Sequence, residues 1–267
     1  MTNRRLAIAG LALVAALGLA GCGPNDDKAK SGAGATAAGK ATEAAADNLD
    51  PAAELGAAAK KLGEQSMRIK MDMAGAISMT GVADPKAGVA QMAMDMGALS
   101  KDTTIEVRKV DQDVYMKFSG QMGKMIGGSN GGKPWMHVDA AKIADGSSFK
   151  LPKDDPAGSK AMIAAMTKVE RVGEHGFKGL LDPTKMPQYN KESLKALGTK
   201  ATAMPFTAKT DDQGRLVEIT LDMSGISPGA GEMKTTYSDF GTPVTVEAPP
   251  AAQVGELPKE LSGLLNA

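Results

Sequence analysis

Gly225-Ile226-Ser227-Pro228-Gly229 is spelled like the turn that presents the nucleophile of serine hydrolases. In that turn the residue after the Ser donates its backbone N–H to the oxyanion, and Pro228 has none. The flanking pattern is strand, turn, strand, whereas the hydrolase turn joins a strand to a helix, so a serine nucleophile is excluded here. Gly127 to Lys133 (GGSNGGK) fits most of a phosphate-binding loop. The following position must be Ser or Thr to hold magnesium, and it is Pro134, so the segment reads as a flexible loop at a sheet edge. His137 and His175 are the only imidazoles. Neither has His, Cys or acidic neighbours at metal-ligand spacing, and His137 alternates with Met136 and Val138 as a half-exposed strand position. The chain therefore reads as no enzyme, with no cofactor and no metal site.

One residue does carry a defined chemistry. Arg4 and Arg5 precede an uncharged apolar run from Leu6 to Ala20. At about 15 residues that run suits a signal-peptide core and is short for a membrane span. It ends in Leu19-Ala20-Gly21-Cys22, which closely resembles bacterial lipoprotein signals. The resemblance implies cleavage before Cys22 and a diacylglyceryl group on its thiol. Several acyl chains on one residue give stable attachment, at roughly 0.8 kcal/mol per buried methylene. The expected location is the outer face of the cell membrane, held by this lipid anchor. As the only Cys in the chain, Cys22 also rules out an internal disulfide and a thiolate zinc site.

Charge does not select a partner. The chain has 31 basic and 31 acidic residues, and loss of Arg4 and Arg5 with the signal lowers the basic count to 29. A nucleic-acid binder would need a basic face, so that class is excluded. Residues 1–21 read as signal peptide and residues 22–51 as the lipidated Cys with an Ala/Gly-rich tether. With Leu49 as its single large aliphatic side chain, the tether cannot bury enough surface to fold, and its span is roughly 30 Å. Residues 52–250 read as the folded domain and 251–267 as a C-terminal tail.

The elements of that domain follow from period. Ala52 to Gln65 reads as a helix, with Asp50 as N-cap and Pro51 just ahead. From Ser66 the period becomes two: Met67, Ile69, Met71 and Met73 alternate with Arg68, Lys70 and Asp72. The same alternation marks Met92, Met94 and Met96; Ile105 and Val107; Val114, Met116 and Phe118; and Trp135 to Val138. It returns in Val217, Ile219, Leu221 and Met223, in Met233, Thr235 and Tyr237, and in Pro243 to Glu247. Such alternation marks antiparallel strands with one dry and one wet face. Asp84-Pro85, Asp111 to Asp113 and Asp211 to Gly214 supply turns. Asp155 to Thr167, with Met162, Ile163 and Met166 on one face, and Asn190 to Leu197 read as helices. The fold class is α+β, a large antiparallel sheet with helices on one face.

What remains is methionine: 18 Met against one Trp, three Tyr and five Phe. Two readings stand. Methionine fills cores adequately, but it is flexible and specifies packing weakly. A surface of thioethers suits a ligand of variable shape such as an acyl chain, which must be kept as dry as it was in the bilayer. On that reading the expected lining is Met67, Ile69, Met71, Met73, Met92, Met94, Met96, Val107, Met116, Phe118, Met162, Met166, Ile219, Leu221 and Met223. The other reading is a structural lipoprotein with a filled core that binds a protein partner, its identity unspecified.

Several phrases resemble a known family. The Leu19–Cys22 lipobox, the early helix, Glu106 to Lys117 (EVRKVDQDVYMK) and Lys133-Pro134-Trp135 look like actinobacterial lipoproteins of the LppX/LprAFG type. So do Asp211 to Val217 (DDQGRLV) and Tyr237 to Pro249 (YSDFGTPVTVEAPP). That family is similar to the LolA/LolB carriers, in which a strongly curved antiparallel half-barrel carries helices on its concave side. The resemblance implies a hydrophobic cavity that binds or carries a lipid or lipoglycan in the cell envelope.

Overall fold

The computed structural model describes residues 50–97, 100, 102–127, 130–139, 159–185, 203–225 and 231–258. The signal, Cys22, the tether to residue 49, the expected helix Asn190–Leu197 and residues 226–229 of the hydrolase-like string lie outside the described residues.

Helix α1 (Pro51–Lys60) begins as its sequence dictates. The Asp50 carboxylate accepts the Ala52 N–H at 3.2 Å, and Pro51 occupies the first turn, where a missing N–H costs nothing. It is shorter than the expected Ala52–Gln65. A tighter turn over Lys61–Gly63 ends it, and the chain straightens at Ser66, whose hydroxyl donates to the Thr242 carbonyl at 2.6 Å.

Twelve strands follow: β1 (Met67–Met73), β2 (Ile77–Asp84), β3 (Val89–Asp95), β4 (Thr104–Val110), β5 (Asp113–Phe118), β6 (Trp135–Asp139), β7 (Met166–Val172), β8 (Gly176–Leu181), β9 (Met204–Thr210), β10 (Leu216–Asp222), β11 (Glu232–Ser238) and β12 (Val254–Glu256). Helix α2 (Gly120–Gly127) lies between β5 and β6, and α3 (Ser159–Ala165) runs directly into β7. All strands join one open sheet in the order β12-β6-β5-β4-β3-β2-β1-β11-β10-β9-β8-β7. Every pairing is antiparallel except β12 on β6, which is parallel. The domain is thus sheet-dominated with few helices among the described residues.

Three expectations are corrected. Met166 opens β7 instead of sitting on a helix, because Thr167, Val169 and Val172 favour extended backbone once α3 ends at Ala165. Met96 lies one residue past β3. Pro243–Glu247 is extended without joining a ladder. It follows β11 across Ser66, whose carbonyl accepts the Gly241 N–H at 2.9 Å, and reaches Arg108 of β4, whose guanidinium donates to the Glu247 carbonyl at 3.2 Å. Pro243, Pro249 and Pro250 have no N–H to give a neighbouring strand. The stretch read as a C-terminal tail then supplies β12, with Val254 beside Trp135.

Cross-strand register assigns the faces. One row runs Met136, Met116, Val107, Met92, Gly81, Ile69, Tyr237 across seven strands. The next runs Phe118, Ile105, Met94, Met79, Met71, Thr235, Ile219, Ala208, Phe177 across nine. These rows share the face on which α1 and α3 pack. Leu55, Ala58, Ala59 and Leu62 form one core with Met204, Phe206, Leu216, Ile219 and Leu221, and Phe177 is 1% exposed within it. A second, smaller core forms at the other end of the sheet from Met116, Met136 and Val138, with Ile126 of α2 packed against it.

The opposite face is charged. Lys117 pairs with Glu106 at 2.8 Å, and Glu218 accepts from Lys234 at 2.8 Å and Lys209 at 3.0 Å. Trp135 is buried on this face, with the Arg108 guanidinium carbon 4.7 Å from its ring centre. The Lys234 and Lys209 hydrogen bonds hold the Glu218 carboxyl below its ordinary value of 4.5. A carboxylate held down in the fold stabilises above that value and loses its contribution as pH falls through the depressed one. Glu218→Gln should therefore lower the melting temperature at neutral pH and flatten its fall on acidification below 4.5. Parallel melting curves for the two proteins across that range would contradict the pairing.

Candidate functional site

The expected lining divides into three groups. Met67, Met166, Ile219 and Leu221 are buried in the larger core, with Ile69, Met162 and Met223 packed against it. Met116 is buried in the smaller core, against which Val107 and Phe118 pack. Met71, Met73, Met92 and Met94 are partly exposed and belong to neither core, as is Met96 beyond the end of β3. Met79 on β2 joins them by register, opposite both Met71 and Met94.

The apolar face therefore has packed ends and an unpacked middle among the described residues. β1, β2 and β3 form the floor of that middle, which lies between the two cores in the strand order. The helices favour the two ends: α1 packs on α3 and on β7 and β10, and α2 packs beside β5, while of β1–β3 only Met67 and Ile69 of β1 join or touch the larger core. Gly81 deepens the floor. A Cβ there would lie 2.8 Å from the Met92 Cγ, so the Met92 side chain leans over space that only a glycine leaves.

The polar groups around this floor are few. Tyr237, at the end of one row, packs against the larger core, and burial pushes its phenol up to about 12. Thr235 stands between Met71 and Ile219. Such a surface can hold hydrocarbon of varied shape without offering a nucleophile or a general base.

The two histidines sit elsewhere. His137 lies on the charged face, 2.6 Å from Asp113 and against the Tyr115 ring, half-exposed as its alternation with Met136 and Val138 predicts. His175 lies in the β7–β8 turn, 3.5 Å from Asp212 and 3.8 Å from Glu174. Among the described residues no group of three or more His, Cys, Asp or Glu side chains is arranged to hold a metal ion. No helix among them is long and apolar enough to cross a membrane.

The expected lining leaves out Met79, Ile105, Met136 and Met233; the last three are read from the sequence as alternating strand positions, and Met79 is missed. The signal for Met79 was present, since Ile77 and Met79 alternate with Ser78 and Thr80. No protein-family model matches the chain, and no curated protein sequence matches it significantly.

Proposed function

We propose that the protein is a lipoprotein, lipid-anchored to the extracytoplasmic face of the cell membrane, that binds the acyl chains of a lipid or lipoglycan, without catalysis. In this reading the sheet is bent into a half-barrel of the LolA/LolB kind, and α1, α3 and α2 stand on its concave side. The lipidated Cys22 tethers the domain to the membrane, and the acyl chains lie along β1–β3.

The observation that supports this most is the unpacked, methionine-lined middle of the apolar face. A protein needing only stability gains by closing such a gap, since a buried Met or Leu side chain contributes about 1.5–3 kcal/mol. Leaving six thioether side chains partly open, those of Met71, Met73, Met79, Met92, Met94 and Met96, makes sense if something else completes the packing. Methionine suits that task because its three rotatable bonds let one surface fit many chain shapes. The alternating partner residues Asp72, Gln91 and Asp95 face away and are exposed.

The test uses that parity. Met94→Asp places a carboxylate where the acyl chain would lie, and a charge cannot be dried there without a partner. Bound lipid should fall by about tenfold or more. Asp95→Ala removes a charge from the other face and should leave lipid content unchanged. Equal lipid retention by the two folded variants would contradict the site and favour the filled-core lipoprotein that binds a protein partner.

A further inference from the structure

We propose that Met71, Met79 and Met94 form a binding site for a soft monovalent cation, Cu(I) or its redox-inert analogue Ag(I). Register carries the argument. Met71 is directly opposite Met79, and Met79 is directly opposite Met94, so three thioethers occupy one row on three adjacent strands. Directly opposed side chains in such a sheet have Cβ atoms about 4.5–5.5 Å apart. Methionine's flexible stem then lets three sulfurs converge on one ion above the central strand.

The surroundings add to this. Met73 is directly opposite Met233 one row further along β1, and Met92 lies one row back on β3. The row itself is flanked by Ile105 and Thr235, neither of which brings a competing charge. All three ligand methionines are partly exposed, so an ion can enter without opening a core. Neutral thioethers prefer soft ions, and they select Cu(I) against the harder zinc, magnesium and calcium. Strand positions ordinarily favour β-branched or aromatic residues, so three methionines in register require a reason beyond filling space. The site also needs no deprotonation, unlike one built from Cys or His.

This inference shares a face with the proposed lipid site but does not depend on it. Leucine has nearly the volume of methionine and no sulfur, so the triple variant Met71→Leu/Met79→Leu/Met94→Leu keeps the apolar floor while removing the ligands. The intact chain would be titrated anaerobically against a coloured Cu(I) chelator, and separately with Ag(I) followed by native mass spectrometry. The expected result is one ion per chain, an affinity that changes little from neutral to mildly acidic pH, and no competition from zinc. In the triple variant the affinity should drop by about tenfold or more. Wild-type protein that takes no Cu(I) from the chelator would overturn the proposal. So would a folded triple variant that binds Cu(I) as tightly as wild type. Wild-type protein that binds Cu(I) but carries no lipid would instead count against the lipid reading alone.

Discussion

Cys22→Ser should move the protein from the membrane fraction to the soluble fraction, with the folded domain unchanged. The expected size of the effect is large because, on the proposed reading, Cys22 carries the membrane anchor. A single acyl chain gives marginal binding, whereas several on one residue, at roughly 0.8 kcal/mol per buried methylene, give stable attachment. The described domain offers little to replace them. Its exposed large apolar side chains among the described residues are Met122 and Met125 of α2 and Val172 at the end of β7. Fractionation followed by intact-mass measurement checks the prediction. Membrane retention of the Ser variant, or a wild-type mass without a lipid adduct at Cys22, would contradict it.

Phe177→Ala should cost about 3–5 kcal/mol of stability, seen as a large fall in the urea midpoint. Phe177 is 1% exposed and ends the long row that begins at Phe118 and passes through Met94 and Met71. It belongs to one core with Leu55, Ala58 and Ala59 of α1 and Leu181 of its own strand. These side chains cannot all collapse into the space a phenyl ring leaves, because α1 is also held by Lys61, whose ammonium donates to the Gln213 carbonyl at 2.6 Å, and by the Glu54–Arg171 pair. Val172→Ala, at the exposed end of β7, should shift the midpoint by less than about 0.5 kcal/mol equivalent. Similar losses from both would mean that the larger core is not where the register puts it. The functional consequence follows from the same packing, since this core flanks the methionine floor in the strand order.

Legibility in the sequence tracks how locally each element is determined. β1 is transparent, because Met67-Arg68-Ile69-Lys70-Met71-Asp72-Met73 alternates without exception and one face is dry. Helix α1 is transparent at its start, where Asp50 and Pro51 act over a few bonds, and less so at its end, where Ser66 is pulled out by Thr242, distant in sequence. β9 alternates as cleanly as β1, yet Pro205 within Met204–Thr210 argues against a strand paired on both sides. β8 carries Gly176 and Gly179, which weaken any strand signal; Gly179 is there to admit the Phe206 ring across the ladder. In β10 a register shift between Leu216 and Glu218 buries Leu216 and takes Val217 out of the expected parity. β12 is three residues whose only partner lies far back in the chain, and no local period announces it.

The candidate site was legible by type and only partly by place. Parity identified the methionines of β1 and β3 as one face. It could not separate Met67, Met116 and Met166, which finish cores, from Met71, Met92 and Met94, which do not. That division depends on where α1, α2 and α3 land on the sheet, and strand alternation carries no information about it.

The most direct test is native mass spectrometry of the Cys22→Ser protein made in an actinobacterial host, so that no covalent lipid confuses the reading. The account predicts a stoichiometric added mass that organic solvent releases as lipid and that Met94→Asp abolishes. A bare protein mass, unchanged after incubation with envelope lipid extract, would contradict it.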